Sequence, residues 1–207
     1  MEILLVRHAL PERVETNDGS PADPPLSDLG HLQAKALAEW LSHEPIDAIH
    51  TSPMRRARQT AEPLVEATGL EAIVTDGVCE FDQFSDAYVP MEELKRIDYA
   101  RWLEIAQGRG MGDQDPRVFQ AQVVETIEQI AAANPRRRVV IVCHGGVVNS
   151  YVAKVLGRPD GDIFFFDPAY TSINRVLAAG SGERSIVSLN ERGHLRGLPA
   201  TGRSDGV

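Results

Sequence analysis

Two short, continuous apolar runs that each end in a histidine constrain this chain most. Ile3-Leu4-Leu5-Val6 leads into Arg7-His8, and far downstream Val139-Val140-Ile141-Val142-Cys143 leads into His144-Gly145-Gly146. An unbroken apolar run of this length, without polar alternation, is the pattern of a strand buried on both faces. Such strands belong to parallel sheets with helices packed on either side, and ligand chemistry there collects at the carboxyl ends of the strands. Both histidines fall at such ends. One follows an arginine, and the other opens a glycine-led helix whose free N–H groups suit an anion. The pair points to a phosphate site.

The chain has 207 residues, enough for one domain with a real core. Its formal net charge of −9 argues against a nucleic-acid surface or an anionic membrane as partner. An acidic protein that handles an anionic substrate must concentrate its positive charge locally. No apolar stretch is long enough to cross a bilayer, and the N-terminal run, stopped by Arg7-His8, does not read as a signal peptide. Cys79 and Cys143, the only cysteines, lie in no metal-ligand or redox spacing. The expectation is a reduced, cytoplasmic protein with no metal site and no cofactor.

Between the two histidine runs, strand and helix patterns alternate. Residues 10–25, rich in Pro, Asp and Gly, read as a long loop, and a long loop directly after a strand end is more often functional than idle. Ser27 is placed as the N-cap of a helix whose apolar face is Leu29, Leu32, Ala36, Leu37, Trp40 and Leu41. A strand is expected over 46–52, a helix over 55–68 that ends at Gly69 despite Pro63, and a strand over 72–74. Residues 81–115 read as an insertion over the active edge of the sheet, a lid that is helical over 91–106 and jointed at 108–113. Pro116 opens a helix with Val118, Val124, Ile127 and Ile130 on one side. The helix after His144 runs up to Gly157, and segments 172–178 and 185–189 flank a hairpin turn. The expected fold is α/β: a three-layer α/β/α domain over 1–198 with a mostly parallel central sheet, followed by a disordered tail at 199–207.

A third strand end adds charge. Thr51-Ser52 is followed by Met54-Arg55-Arg56-Ala57. If these three strands are parallel neighbours, two histidines and at least two arginines meet in one crevice. Phosphoryl transfer needs such a set, because its catalysis is mostly positioning and stabilisation of charge on three oxygens. Arginine supplies a fork that binds phosphate bidentately and stays charged. A neutral histidine nitrogen is a competent nucleophile near pH 7.

Four segments occur in a telling order: Leu5-Val6-Arg7-His8, Leu26-Ser27-Asp28-Leu29-Gly30-His31-Leu32-Gln33-Ala34, Ser52-Pro53-Met54-Arg55-Arg56-Ala57-Arg58-Gln59-Thr60-Ala61, and Val142-Cys143-His144-Gly145-Gly146. In this order they resemble the histidine phosphatase superfamily, the phosphoglycerate mutase-like proteins, over most of residues 1–156. The resemblance implies that His8 is the phospho-accepting nucleophile and that Arg7, Arg56, His144 and the backbone at Gly145 form the phosphate pocket. It places the general acid at Glu80, with Asp82 as the alternative.

The sequence also departs from the family pattern. Ala9 replaces the usual glycine after Arg-His, Leu10-Pro11-Glu12-Arg13 replaces the usual Thr and Asn, and Phe81-Asp82-Gln83-Phe84-Ser85 replaces a Gly- and Trp-containing segment typical of mutases. Arg13 is a candidate to reach the phosphate in place of the lost loop contacts. The short chain and these departures favour a phosphatase over a mutase, and the expected activity is that of a metal-independent phosphatase acting on a small phosphorylated substrate. The rivals are a phosphoglycerate mutase and a catalytically silent member that only binds phospholigands. The resemblance also allows a homodimer. His31, His43, His50, His194, Arg55, Arg58 and the run Arg136-Arg137-Arg138 are expected to be structural or solvated.

Overall fold

The computed structural model describes residues 1–107 and 114–200. The elements run β1 (Glu2–Arg7), β2 (Val14–Glu15), α1 (Asp28–Leu41), β3 (Ala48–Thr51), α2 (Arg55–Thr68), β4 (Ala72–Val74) and β5 (Ala87–Tyr88). They continue with α3 (Met91–Ile97), α4 (Tyr99–Ala106), α5 (Pro116–Ala133), β6 (Arg138–Cys143), α6 (Gly145–Val155), β7 (Ile173–Ala178) and β8 (Arg184–Glu191). The main sheet has the order β4-β3-β6-β1-β7-β8. Its β1, β3, β4 and β6 are mutually parallel, while β7 and β8 close one side antiparallel. The mostly parallel α/β sheet expected from the sequence is the one observed.

Strand alternation explains the three layers. Ile3 and Leu5 of β1, with Val139 and Ile141 of β6, pack against Val123 and Ile127 of α5 and Val148 and Val152 of α6. Leu4 and Val6, with Val140 and Val142, face the other way onto Leu37 and Leu41 of α1 and Ala61 and Leu64 of α2. Both faces are covered, so the two strands are continuously apolar rather than alternating. Among the described residues no helix is long and apolar enough to cross a membrane.

Local chemistry sets the helix starts. Ser27 caps α1 by accepting the Gly30 N–H at 3.1 Å. Gly30 is required there, since a Cβ would lie 2.1 Å from the Leu10 carbonyl oxygen of the loop packed on the helix. Asp23 accepts the Arg55 N–H at 2.9 Å and places its carboxylate at the positive end of α2. Gly69 ends α2 at φ 70°, and the helix runs through Pro63.

Several expectations shift. The buried stripe of α1 is Gly30, Gln33, Ala34, Leu37, Ala38 and Leu41, while Leu32 and Trp40 are about half exposed. Small residues let the helix approach the loop, and Gln33 is buried because its Oε1 accepts the Leu10 N–H at 2.9 Å. In α5 the stripe runs through Phe119 and Val123, leaving Val118 66% exposed. The long loop contains β2, which pairs with β5 of the 81–115 segment. The helix expected over 91–106 breaks at Asp98, which ends α3 and then caps α4 through the Arg101 N–H at 3.0 Å. The joint at 108–113 and most of the expected tail, 201–207, lie outside the described residues.

Candidate functional site

Register brings the two histidines together. β1 pairs with β6 so that Arg7 lies opposite Cys143, and the His8 N–H donates to the Cys143 carbonyl at 2.8 Å. The next residue on each strand is a histidine, and their ring centroids are 5.1 Å apart. On the other side of β6, Thr51 of β3 lies opposite Val142, which delivers Ser52 beside His144 with Oγ 2.8 Å from Nε2. Arg56 follows in the first turn of α2 and is fully buried. Arg7, Arg56, His8, His144 and Glu80 are therefore assembled in one buried cluster.

Hydrogen bonds fix the state of His8. Its Nδ1 lies 2.8 Å from the Ala9 carbonyl oxygen. A carbonyl only accepts, so Nδ1 carries the proton and Nε2 carries the lone pair. Burial, then Arg56 and Arg7, pushes the His8 pKa well below its ordinary value. Burial, then Arg56, His8 and Arg7, lower His144 in the same direction. Both rings are neutral at physiological pH. The Ala9 N–H donates to Thr60 Oγ1 at 2.9 Å, tying the loop after the histidine to α2.

The arginines are held but not exhausted. Arg7 donates from Nη1 to the Pro168 carbonyl at 2.7 Å, and its guanidinium stacks 3.9 Å from the Tyr170 ring centroid. Arg56 pairs with Asp82 at 2.8 Å and sits 4.7 Å from the Tyr88 ring centroid. Seven buried side-chain nitrogen and oxygen atoms among the described residues lack a protein partner, and four are Arg7 Nε, Arg56 Nε, Arg56 Nη1 and His144 Nδ1. Buried polar atoms are otherwise nearly always satisfied. More than half of these atoms belong to this one cluster, so its arginines keep N–H donors that a polyoxyanion could use.

Glu80 closes the site. Its Oε2 accepts the Gly146 N–H at 2.8 Å at the start of α6. Burial, and next the neighbouring Asp82, pushes its carboxyl up to about 7. Two backbone N–H groups and Arg56 pull the other way and are outweighed. A carboxyl that is protonated near neutrality can donate a proton. Asp82, the alternative acid, is instead committed to Arg56.

Of the residues expected from sequence, Arg13 alone stands apart. It is half exposed and pairs with Glu93 of α3 at 3.2 Å, so it does not join the buried arginines. Gly145 opens α6 behind Arg7, where a Cβ would come no closer than 3.8 Å to the Arg7 Nε. Sequence reasoning assigned no role to Ser52, Thr60, Tyr88, Glu92 or Tyr170. Glu92 approaches Arg7 at 4.0 Å and accepts the Tyr170 hydroxyl at 3.0 Å. Ser52 and Thr60 lie inside the motif phrases and were open to notice. Tyr170 precedes an antiparallel strand, and Tyr88 and Glu92 lie in the 81–115 segment, where no local pattern marks them. Among the described residues no cluster of three or more His, Cys, Asp or Glu is arranged to hold a metal ion.

A mostly parallel α/β sheet that buries paired histidines and arginines at its strand ends defines a phosphate-handling class of protein. The family model of the histidine phosphatase superfamily (branch 1) matches residues 3–192, and the chain belongs to that superfamily. It is 31% identical over 201 residues to phosphoserine phosphatase 1 of Hydrogenobacter thermophilus, covering 94% of both chains. It is 29% identical over 170 residues to a sequence named probable phosphoglycerate mutase from Serratia proteamaculans, covering 77% of this chain and 76% of the other. The fold matches the phosphoserine phosphatase of Entamoeba histolytica with a TM-score of 0.73 at 19% identity, over 94% of this chain and 98% of that one.

Proposed function

We propose that this protein is a metal-independent phosphomonoesterase that hydrolyses a small phosphorylated metabolite through a phosphohistidine at His8. The observation that carries the reading is the His8 Nδ1–H held on the Ala9 carbonyl, which leaves a lone pair on Nε2 of a neutral ring. Nε2 attacks phosphorus as the P–O bond to the leaving group breaks. Charge on the three equatorial oxygens is met by Arg7, Arg56, His144 and the backbone N–H of Gly145 at the start of α6. Glu80 gives its proton to the departing alkoxide. The carboxylate left behind takes a proton from water as the water oxygen attacks phosphorus. The P–N bond then breaks, and the electron pair returns to Nε2.

The 81–115 segment acts in this reading as a lid, since it contributes Asp82, Tyr88 and Glu92 to the arginines of the site. The named relatives make phosphoserine and phosphoglycerates the first substrates to test. Two free, buried cysteines fit a reducing, cytoplasmic setting, and a homodimer is part of the reading.

A phosphate-release screen over sugar phosphates, phosphoserine, phosphoglycerates and nucleotides tests the proposal, with His8→Ala as control. Release by the wild type and loss in His8→Ala are expected. Interconversion of 3-phosphoglycerate without net phosphate release would replace hydrolysis with mutase chemistry. Tight phosphate binding with no turnover would replace it with a silent binding module. Chelator treatment is expected to leave the rate unchanged; loss of activity restored by a divalent ion would contradict the metal-free mechanism.

A further inference from the structure

Ser52 is fully buried between three elements, and nothing in the mechanism above uses it. Its Oγ lies 2.8 Å from His144 Nε2, 3.3 Å from the Met54 nitrogen and 3.9 Å from Cys79 Sγ. A hydroxyl has one hydrogen to give and two lone pairs to fill. The Met54 N–H fills one lone pair. Of the two acceptors within reach of the hydroxyl hydrogen, the imidazole nitrogen gives the stronger bond, because the sulfur is a weak acceptor more than an ångström farther away.

We infer that Ser52 is a positioning residue: its hydroxyl donates to His144 Nε2 and so fixes His144 as the Nδ1–H tautomer that presents a donor to the phosphoryl oxygens. This rests on the phosphoryl-transfer reading of the site. A second observation agrees. His144 Nδ1 is one of the buried atoms left without a protein partner, in the cluster that also contains the unpartnered Arg7 and Arg56 nitrogens. The opposite tautomer would set a bare lone pair against an anion, which repels. Because burial and the two arginines keep His144 neutral, it cannot donate from both nitrogens, and one partner must choose. The β3–β6 register makes that partner Ser52: the Ser52 N–H donates to the Val142 carbonyl at 3.0 Å and locks the serine beside the histidine.

The tautomer is read directly from long-range proton–nitrogen correlation spectra of the 15N-labelled full chain near pH 7, with His144 assigned by its absence in His144→Gln. A lone-pair shift at Nε2 and an N–H shift at Nδ1 are expected. The reverse pattern, or an imidazolium, overturns the proposal. In Ser52→Ala the tautomer preference should be lost, and the inhibition constant of inorganic phosphate should rise about tenfold, the scale of one buried hydrogen bond. Ser52→Thr, which keeps the hydroxyl, should restore the Nδ1–H form. An unchanged phosphate constant in a folded Ser52→Ala protein also overturns the proposal. Failure of the hydrolase reading registers separately, as turnover surviving in His8→Ala, because the tautomer is read in substrate-free protein.

Discussion

Glu80 Oε2 accepts the backbone N–H of Gly146 at 2.8 Å, binding the carboxyl to the helix that His144 opens. The two residues are 66 positions apart. In the proposed mechanism one carries the proton that a leaving group needs, and the other belongs to the helix start that meets the phosphoryl oxygens. The contact holds acid and phosphate pocket in fixed relation before a substrate arrives, which is the preorganisation that electrostatic catalysis depends on.

Glu80→Gln should keep the Gly146 hydrogen bond and remove the proton. Turnover of alkyl phosphomonoesters is expected to fall about 10²-fold or more, and turnover of an activated aryl phosphate much less. Equal losses on both substrates would remove Glu80 from the acid role.

The same variant predicts a pH-dependent stability. Glu80 titrates near 7 in the folded chain, above its ordinary 4.5, so its protonated form is favoured by folding. That contribution is complete below pH 4.5 and is lost as pH rises through 7. Wild type at pH 8 should carry a penalty on the order of 3 kcal/mol that Gln avoids. Denaturant melts of the two proteins should coincide near pH 4 and separate at pH 8 with Gln the more stable; the opposite order would refute the linkage.

Asp82 helps to raise the Glu80 carboxyl and also occupies Arg56. Asp82→Asn removes that negative neighbour, so the Glu80 pKa should fall. The alkaline limb of kcat/KM, which follows loss of the acid's proton, should move to lower pH. A limb that stays fixed or moves upward would show that Asp82 has no part in tuning the acid.

The adjacent glycines should respond differently. A Cβ on Gly146 would sit 2.3 Å from Glu80 Oε1 and 3.2 Å from Phe81 Cδ1, whereas a Cβ on Gly145 meets nothing closer than 3.8 Å. Gly146→Ala should therefore displace the acid and depress kcat, while Gly145→Ala keeps its N–H and most of the activity. Comparable activities in the two variants would contradict the geometry.

Arg13→Ala should change kcat/KM for a small phosphomonoester by no more than about threefold, because the residue is half exposed and its pair with Glu93 is solvent-screened. A large rise in KM would return Arg13 to the phosphate pocket.

The parallel core and the placing of Arg7-His8 and His144 at strand ends are legible from local pattern, whereas the choice of Arg56 over Arg55 comes through the family resemblance. Unbroken apolar runs demand cover on both faces, and the motif phrases fall at their ends. Glu80 is a candidate acid only through the resemblance. Its raised pKa depends on Asp82 and on burial, neither of which local sequence encodes. Leu32 and Trp40 of α1 stay half exposed, against the expected face, because close packing of Gly30 on Leu10 sets which side of the helix is buried, a contact across a loop. The β2–β5 pair was not legible either, since two-residue strands have no period to detect.

The sequence by itself determined that two histidine-bearing strands lie within a sheet buried on both faces, because apolar runs carry their burial requirement locally. Only the tertiary structure decided which groups face each other across that sheet. Register set the imidazoles 5.1 Å apart and put Ser52 on His144, while the antiparallel edge brought Tyr170 over Arg7. The physical reason is that desolvation, charge coupling and tautomer choice depend on distances between segments far apart in the chain, which only folding fixes.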